Sequence, residues 1–222
     1  DPDCLIAHPG QGDDHFAELK GKPIAVSTDT RASWWLFLKA KYGYSDAQLR
    51  PYGFSLTPFL TNKNDIQEAY VTSEPYLVHQ ATGEWPVVLA LPDSGFDGYA
   101  SLIATSDKMV KTHPDLVKRF IAASAQGWYD FLYKDPKPAF AAIKAANPDM
   151  TDGLMQFGYE QLKQRGIVDS GDAKTQGIYA MTNARWKSFF NQMAATGMYD
   201  KTLDYKSAYT LEFVDHGRPA QN

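Results

Sequence analysis

Ser27, Thr28, Thr30 and Arg31 stand in the stretch STDTRAS, between an apolar run and the paired Trp34 and Trp35. Free N–H groups at a helix start, flanked by hydroxyls, bind a ligand acceptor or an anion, and Arg31 adds a charge-assisted donor. The same residues also read as a simple cap, with Arg31 turned to water. A second constellation is TSEPYLVHQ. Glu74 there either accepts from an amino or ring N–H group of a ligand or complements a helix dipole, while Tyr76 stacks or hydrogen-bonds. A third is SGFDGY, with Asp97 and Tyr99; Asp97 equally suits an Asp-Gly turn. Metal chemistry has little to work with, since Cys4 is the one cysteine, the five histidines are scattered, and His8 and His15 share no helix. No glycine-rich phosphate loop occurs, and no serine sits in a nucleophile elbow.

Elements that would position these residues follow from pattern. IAVST reads as a strand, and 32–42 as a helix stopped by Gly43. RPYGFSL is a further strand, 65–69 a short helix, AYVTS a short strand, and 74–82 a helix with Pro75 in its first turn. PVVLALP is apolar throughout, as a strand covered on both faces should be, and YASLIAT reads as another. ELKGK is a helical turn closed by Gly21, after an apolar piece broken at Pro9 and Gly10. The rest is helical: two helices split at His113-Pro114, PKPAFAAIKAAN, a helix capped by Thr151 and stopped by Gly166, and a long helix over 173–197. Trp34 and Trp35 point to different sides of their helix, so one is assigned to the core and the other to a cleft wall. The order predicts a parallel-type sheet with helices from about Lys22 to Thr105, then a helical tail.

The chain has 222 residues, enough for one large domain or two small ones. Hydrophobic residues make up 44% and charged residues 22%, which excludes wholesale disorder. A formal net charge of -4 argues against nucleic acid as a partner. No apolar run reaches the roughly 18 residues of a membrane span. Aromatics at 14% suit either a dense core or an aromatic-lined cleft.

ELKGKPIAV before a Ser/Thr turn, YVTSEPY, and DLVKRFIAAS with GWYDFLY after THP together resemble the NMT1/THI5-like family of solute-binding proteins, from about Leu5 to Val214. The resemblance implies an α/β, two-lobed periplasmic-binding-protein-like (type II) fold with ligand enclosed in the cleft. Residues 22–98 would be the inserted lobe; 1–21 and 99–222, mostly helical, would be the remainder of the other. Gly95 and Gly98 near the crossing suit hinge motion. On that placement Ser27, Thr28, Thr30, Arg31, Glu74, Tyr76, Asp97 and Tyr99 face ligand. The implied function is a periplasmic (or extracellular, membrane-associated) receptor of an ABC importer, with a membrane permease as partner, no cofactor and no catalysis.

The carboxylates, the aromatics and the scarcity of cations beyond Arg31 favour a flat N–H-bearing heterocycle, such as a pyrimidine-type thiamine precursor, over nitrate or a sulfonate. Two alternatives stand beside this: an iron-dependent THI5-like pyrimidine synthase, whose cysteine-rich motif this chain lacks, and the effector module of a transcription regulator. The resemblance further implies that the first lobe lacks about three βα units, or about 90 residues at about 30 each. A preceding segment of the same protein would then supply the sheet that covers Phe120, Ile121, Trp128 and Phe131.

Overall fold

A computed structural model describes residues 1–214. Contacts divide the chain into two units, one of 1–98 with 188–203 and one of 99–187 with the residues from 204 onward.

The first unit is built on five strands: β1 (Asp3–Ala7), β2 (Ile24–Val26), β3 (Leu49–Pro51), β4 (Ile66–Tyr70) and β5 (Val87–Ala90), in the order β3-β2-β4-β1-β5. β2 runs parallel to β3 and β4, whereas β1 is antiparallel to β4 and β5. The sheet is therefore mixed rather than all parallel. The apolar piece around Leu5 and Ile6 is its inner strand, so residues expected in the other lobe join 22–98 in one sheet.

Helix α1 (Thr28–Arg31) leads into α2 (Trp34–Tyr42); α3 (Thr57–Thr61) and α4 (Glu74–Thr82) follow. One sheet face carries Leu5, Ala7, Ile24, Val26, Ile66 and Leu89. These pack with Trp34, Trp35, Phe37 and Leu38 of α2 and with Phe96 and Met193. Burying each large side chain contributes about 1.5–3 kcal/mol. Both tryptophans belong to this core and neither walls a cleft; Trp35 Nε1 donates to Asp46 Oδ1 at 3.0 Å. Gly43, at φ 70°, ends α2 by donating its N–H to the Lys39 carbonyl, a conformation glycine adopts without strain. On the opposite face α4 packs on β4, and Cys4 Sγ–H donates to the Ala69 carbonyl at 3.3 Å. Buried His8 stacks on Phe59 at 4.0 Å, with Nε2 on the Phe59 carbonyl at 2.8 Å, which ties α3 to the end of β1.

Two expectations here are overturned. Residues 65–69 are not a helix but most of β4, hydrogen-bonded on both sides. Pairing with β1 and β2 satisfies its backbone groups from both sides, which one isolated helical turn of these residues could not do. The PVVLALP run is an edge strand with half-buried Val87 and Val88, not one covered on both faces. Pro86 and Pro92 flank it, and proline at a strand edge removes a donor that would invite further pairing.

The second unit is helical. It holds α5 (Asp107–Thr112), α6 (Pro114–Tyr133), α7 (Lys137–Ala146), α8 (Asp152–Gln164), α9 (Ala173–Gln176) and the start of α10 (Asn183–Ala195). Pro114 opens α6, and the Thr151 hydroxyl caps α8 by accepting the Leu154 N–H at 3.2 Å. Phe131 meets Phe140 and Tyr159 edge-on, at 5.8 and 5.2 Å. The long helix expected over 173–197 is broken, because Gly177 at φ 101° and Tyr179 at φ 71° leave helical space between α9 and α10. The strand expected at YASLIAT is exposed coil, with Leu102 and Ile103 bare; among the described residues no strand pairs with it. Residues 215–222 of the expected remainder lie outside the described residues.

Candidate functional site

The four strands β2, β3, β4 and β5 run in one direction, so their carboxyl ends share a rim of the sheet with the amino end of β1. From β2 the chain moves outward to β3; from β4 it leaves toward the opposite edge, to β5. The neighbours β2 and β4 thus mark a topological switch point, where open α/β sheets form a crevice beyond the strand ends.

Turn residues and carboxylates meet at that point. Ser27 caps α1, its Oγ accepting the Thr30 N–H at 3.2 Å and lying 3.2 Å from the Thr30 hydroxyl. The Ser27 N–H itself donates to Glu68 Oε2 at 2.7 Å. Thr28 is exposed, Thr30 is buried, and Arg31 has a buried Nε without a hydrogen-bond partner. The N–H groups of Thr30 to Ser33, on which the sequence reading placed an anion, are already taken: Thr30 by the Ser27 Oγ, and Arg31, Ala32 and Ser33 by the Ser27, Asp29 and Thr30 carbonyls, while α1 has only four residues to offer a dipole.

Glu74 opens α4 and folds back, its Oε2 accepting the Tyr70 N–H at 2.8 Å and the Ser73 hydroxyl. Tyr76, half-buried, donates its backbone N–H to the Ser73 carbonyl in the first turn of α4. On β1, Asp3 lies opposite Tyr70. Burial, and then the charge of Glu68, raise the Asp3 carboxyl to about 6. Tyr70 is pushed upward by burial and by the charges of Asp3, Glu68 and Glu74. Tyr52 is pushed up further by burial and by Glu74 and Glu68, although its hydroxyl is hydrogen-bonded to the Gln67 side chain. Its N–H donates to the Val26 carbonyl at 3.2 Å, fixing the segment after β3 to the end of β2.

Three carboxylates, two phenols and the Ser27–Arg31 turn therefore form one constellation on the rim. Its chemistry is that of acceptors beside ring faces, suited to a flat ligand with N–H donors. Sequence reasoning missed Asp3, Tyr52, Glu68 and Tyr70. Glu68 lies on the segment read as a helix and Tyr70 just beyond it, and only the pairing of β4 with β1 and β2 brings them to the rim.

Asp97 and Tyr99 have other neighbours. Asp97 is exposed, with its N–H on Gln192 Oε1 at 3.4 Å, and Gln192 Nε2 donates to the Gly95 carbonyl at 2.9 Å. Gly98 is needed for close approach, since a Cβ there would meet the Phe96 and Phe189 rings at 3.1 and 3.2 Å. Tyr99 belongs to the second unit, where its hydroxyl donates to Asp172 Oδ2 at 2.8 Å and accepts the Thr182 N–H at 2.9 Å. The Arg185 guanidinium lies 4.3 Å over its ring. Burial and the bond to Asp172 raise the Tyr99 phenol. The second unit also has a largely apolar groove of about 300 Å³ lined by Trp128, Phe131, Ile143 and Tyr179 among others. Among the described residues no group of three or more His, Cys, Asp or Glu is placed to hold a metal ion.

A mixed α/β sheet with polar turns at its switch point agrees with a family match over residues 1–139: the chain belongs to the NMT1/THI5-like family. It is also similar to the riboflavin-binding protein RibY of Chloroflexus aurantiacus, 26% identical over 206 residues, which cover 90% of this chain and 58% of that protein. The chain thus spans less than two thirds of the length of this relative.

Proposed function

We propose that the chain is the ligand-binding part of a solute receptor of an ABC importer, working outside the cytoplasmic membrane with a membrane permease as partner. The rim constellation holds a planar heterocycle by its ring N–H groups. The observation that carries this reading is Glu68 on the Ser27 N–H, with Asp3, Glu74, Tyr52 and Tyr70 around it. A rim already furnished with carboxylates attracts donors and repels nitrate or a sulfonate. The similarity to a riboflavin-binding protein supports the same class, since the flavin ring contains a pyrimidine with an N–H between two carbonyls. Flavins and pyrimidine-type thiamine precursors are accordingly the ligands proposed. Ser27, Thr28, Thr30, Arg31, Glu74 and Tyr76 serve on the rim, and Asp97 and Tyr99 are retained as ligand-facing positions outside it. The role is binding rather than pyrimidine synthesis.

Leu102, Ile103, Leu116, Phe120 and Ile143 of the second unit are exposed. A further segment of the same receptor is proposed to cover them, consistent with the greater length of the relative.

Calorimetric titration with riboflavin, an aminopyrimidine thiamine precursor, taurine and nitrate tests the reading. Binding of a ring compound and not of the anions is expected. A response to anions alone overturns it. Iron-dependent turnover would restore the synthase alternative.

A further inference from the structure

Phe54 combines two unfavourable features. Its backbone is left-handed at φ 57°, a conformation that side chains other than Gly, Asn and Asp rarely adopt. Its ring is 79% exposed, the barest of the exposed large hydrophobic side chains among the described residues. Gly53 beside it takes no left-handed φ, so the strain falls on the aromatic residue although a glycine stood next to it. Strain of this kind clusters at active sites and ligand clamps.

The surroundings indicate what that is. The Phe54 ring lies 5.1 Å from Tyr52, tilted by 51°. Tyr52 in turn has its hydroxyl on Gln67 and stands in the field of Glu74 and Glu68. Phe54 is thus one ring removed from the carboxylates of the rim, on a segment pinned to the end of β2.

From this placement we infer that Phe54 is a specificity-determining residue of the rim site, its ring forming a stacking face for a planar heterocycle whose N–H edge meets the carboxylates. The inference rests on the ring-binding function proposed above. Stacking of a flat ring on an aromatic side chain is tolerant of substituents, so Phe54 selects for planarity and ring size while the carboxylates select for the N–H pattern.

The full chain, as wild type, Phe54→Gly and Phe54→Trp, is titrated with lumichrome by fluorescence and with uracil by calorimetry. Each form is also melted without ligand. Phe54→Gly is expected to raise the melting midpoint, because glycine relieves the left-handed backbone, and to weaken lumichrome binding by about ten-fold, the size of one stacking contact. Phe54→Trp is expected to retain lumichrome within about three-fold, since the indole offers an equal or larger face. Uracil, with less ring to cover, should lose less than lumichrome in Phe54→Gly. Equal lumichrome affinity in wild type and Phe54→Gly overturns the role of Phe54 and leaves the ring-binding function standing. Failure of the wild type to bind either ring overturns both. A Phe54→Gly form that melts below wild type shows the ring to be a packing element and also overturns the inference.

Discussion

Glu74 directs one oxygen to two donors, the Tyr70 N–H and the Ser73 hydroxyl, and so closes the turn that launches α4. Capping and ligand binding are compatible in one carboxylate, because the other oxygen has its own lone pairs. Glu74→Gln should lower ligand affinity by about 1.5–3 kcal/mol if a ligand N–H is its partner. An unchanged dissociation constant by calorimetry would leave it as a turn residue alone. Arg31→Ala should weaken binding while the thermal transition stays cooperative, since it removes a half-buried guanidinium from the same turn. Asp3 gives a pH signature. Its folded carboxyl, at about 6, stands above the ordinary 3.8, so the folded state holds more protons than the unfolded state between those values. Stability contributed by Asp3 therefore falls as pH rises from about 4 to 6, and the deficit persists at pH 7. Asp3→Asn should melt higher than wild type at pH 7, and the difference should fade as pH drops below 4. Melting curves across that range check it.

At the scale of elements, the loop after β1 depends on one ion pair. Asp13, almost fully buried, is paired with Lys22, whose Nζ also donates to the Gly12 carbonyl at 3.2 Å. Lys22→Met would leave that carboxylate buried and unpaired, at a loss of about 3 kcal/mol. A urea midpoint close to wild type would show that Asp13 finds water instead. Elements bounded by local chemistry were legible: Gly43 and Gly166 as stops, Thr151 as a cap, Pro114 as a break. Those decided by partners distant in sequence were not. β4 is a strand because β2 and β1 flank it, and nothing within IQEAY announces that. YASLIAT has the composition of a strand but no neighbour among the described residues. The 173–197 helix breaks around Tyr179, whose hydroxyl accepts from Trp128 Nε1 at 2.9 Å, a contact between residues 51 apart that local spacing could not reveal. The candidate site divides in the same way. Ser27 and Glu74 stand at turns and were readable, whereas Asp3, Glu68 and Tyr52 converge only through sheet register.

For the whole molecule, the first unit is not a continuous stretch. It takes β1 from the start of the chain and residues 188–203 from near its end, among them Met193 in the core. A piece of residues 22–98 alone lacks the strand between β4 and β5 and should show no cooperative thermal transition. Residues 1–98 joined to 188–203 by a short linker should show one. Cooperative melting of 22–98 by itself would mean that β1 is an accessory strand. The second unit has its own interior around Leu132 and Met155, yet leaves large side chains of α6 and α7 exposed. The chain is therefore expected to self-associate in sedimentation, and added detergent or the covering segment proposed above should reduce that.

The bond from Ser27 to Glu68 bears on how this turn meets dissolved salt. Surroundings rich in sulfate, phosphate and chloride would load an open helix-start amide nest and hold it against scarcer solutes. Here one amide of the turn, the Ser27 N–H, is already held by a tethered carboxylate at high effective concentration. An anion of the medium would have to displace that carboxylate to reach the Ser27 N–H, so added salt should screen the contact rather than occupy it.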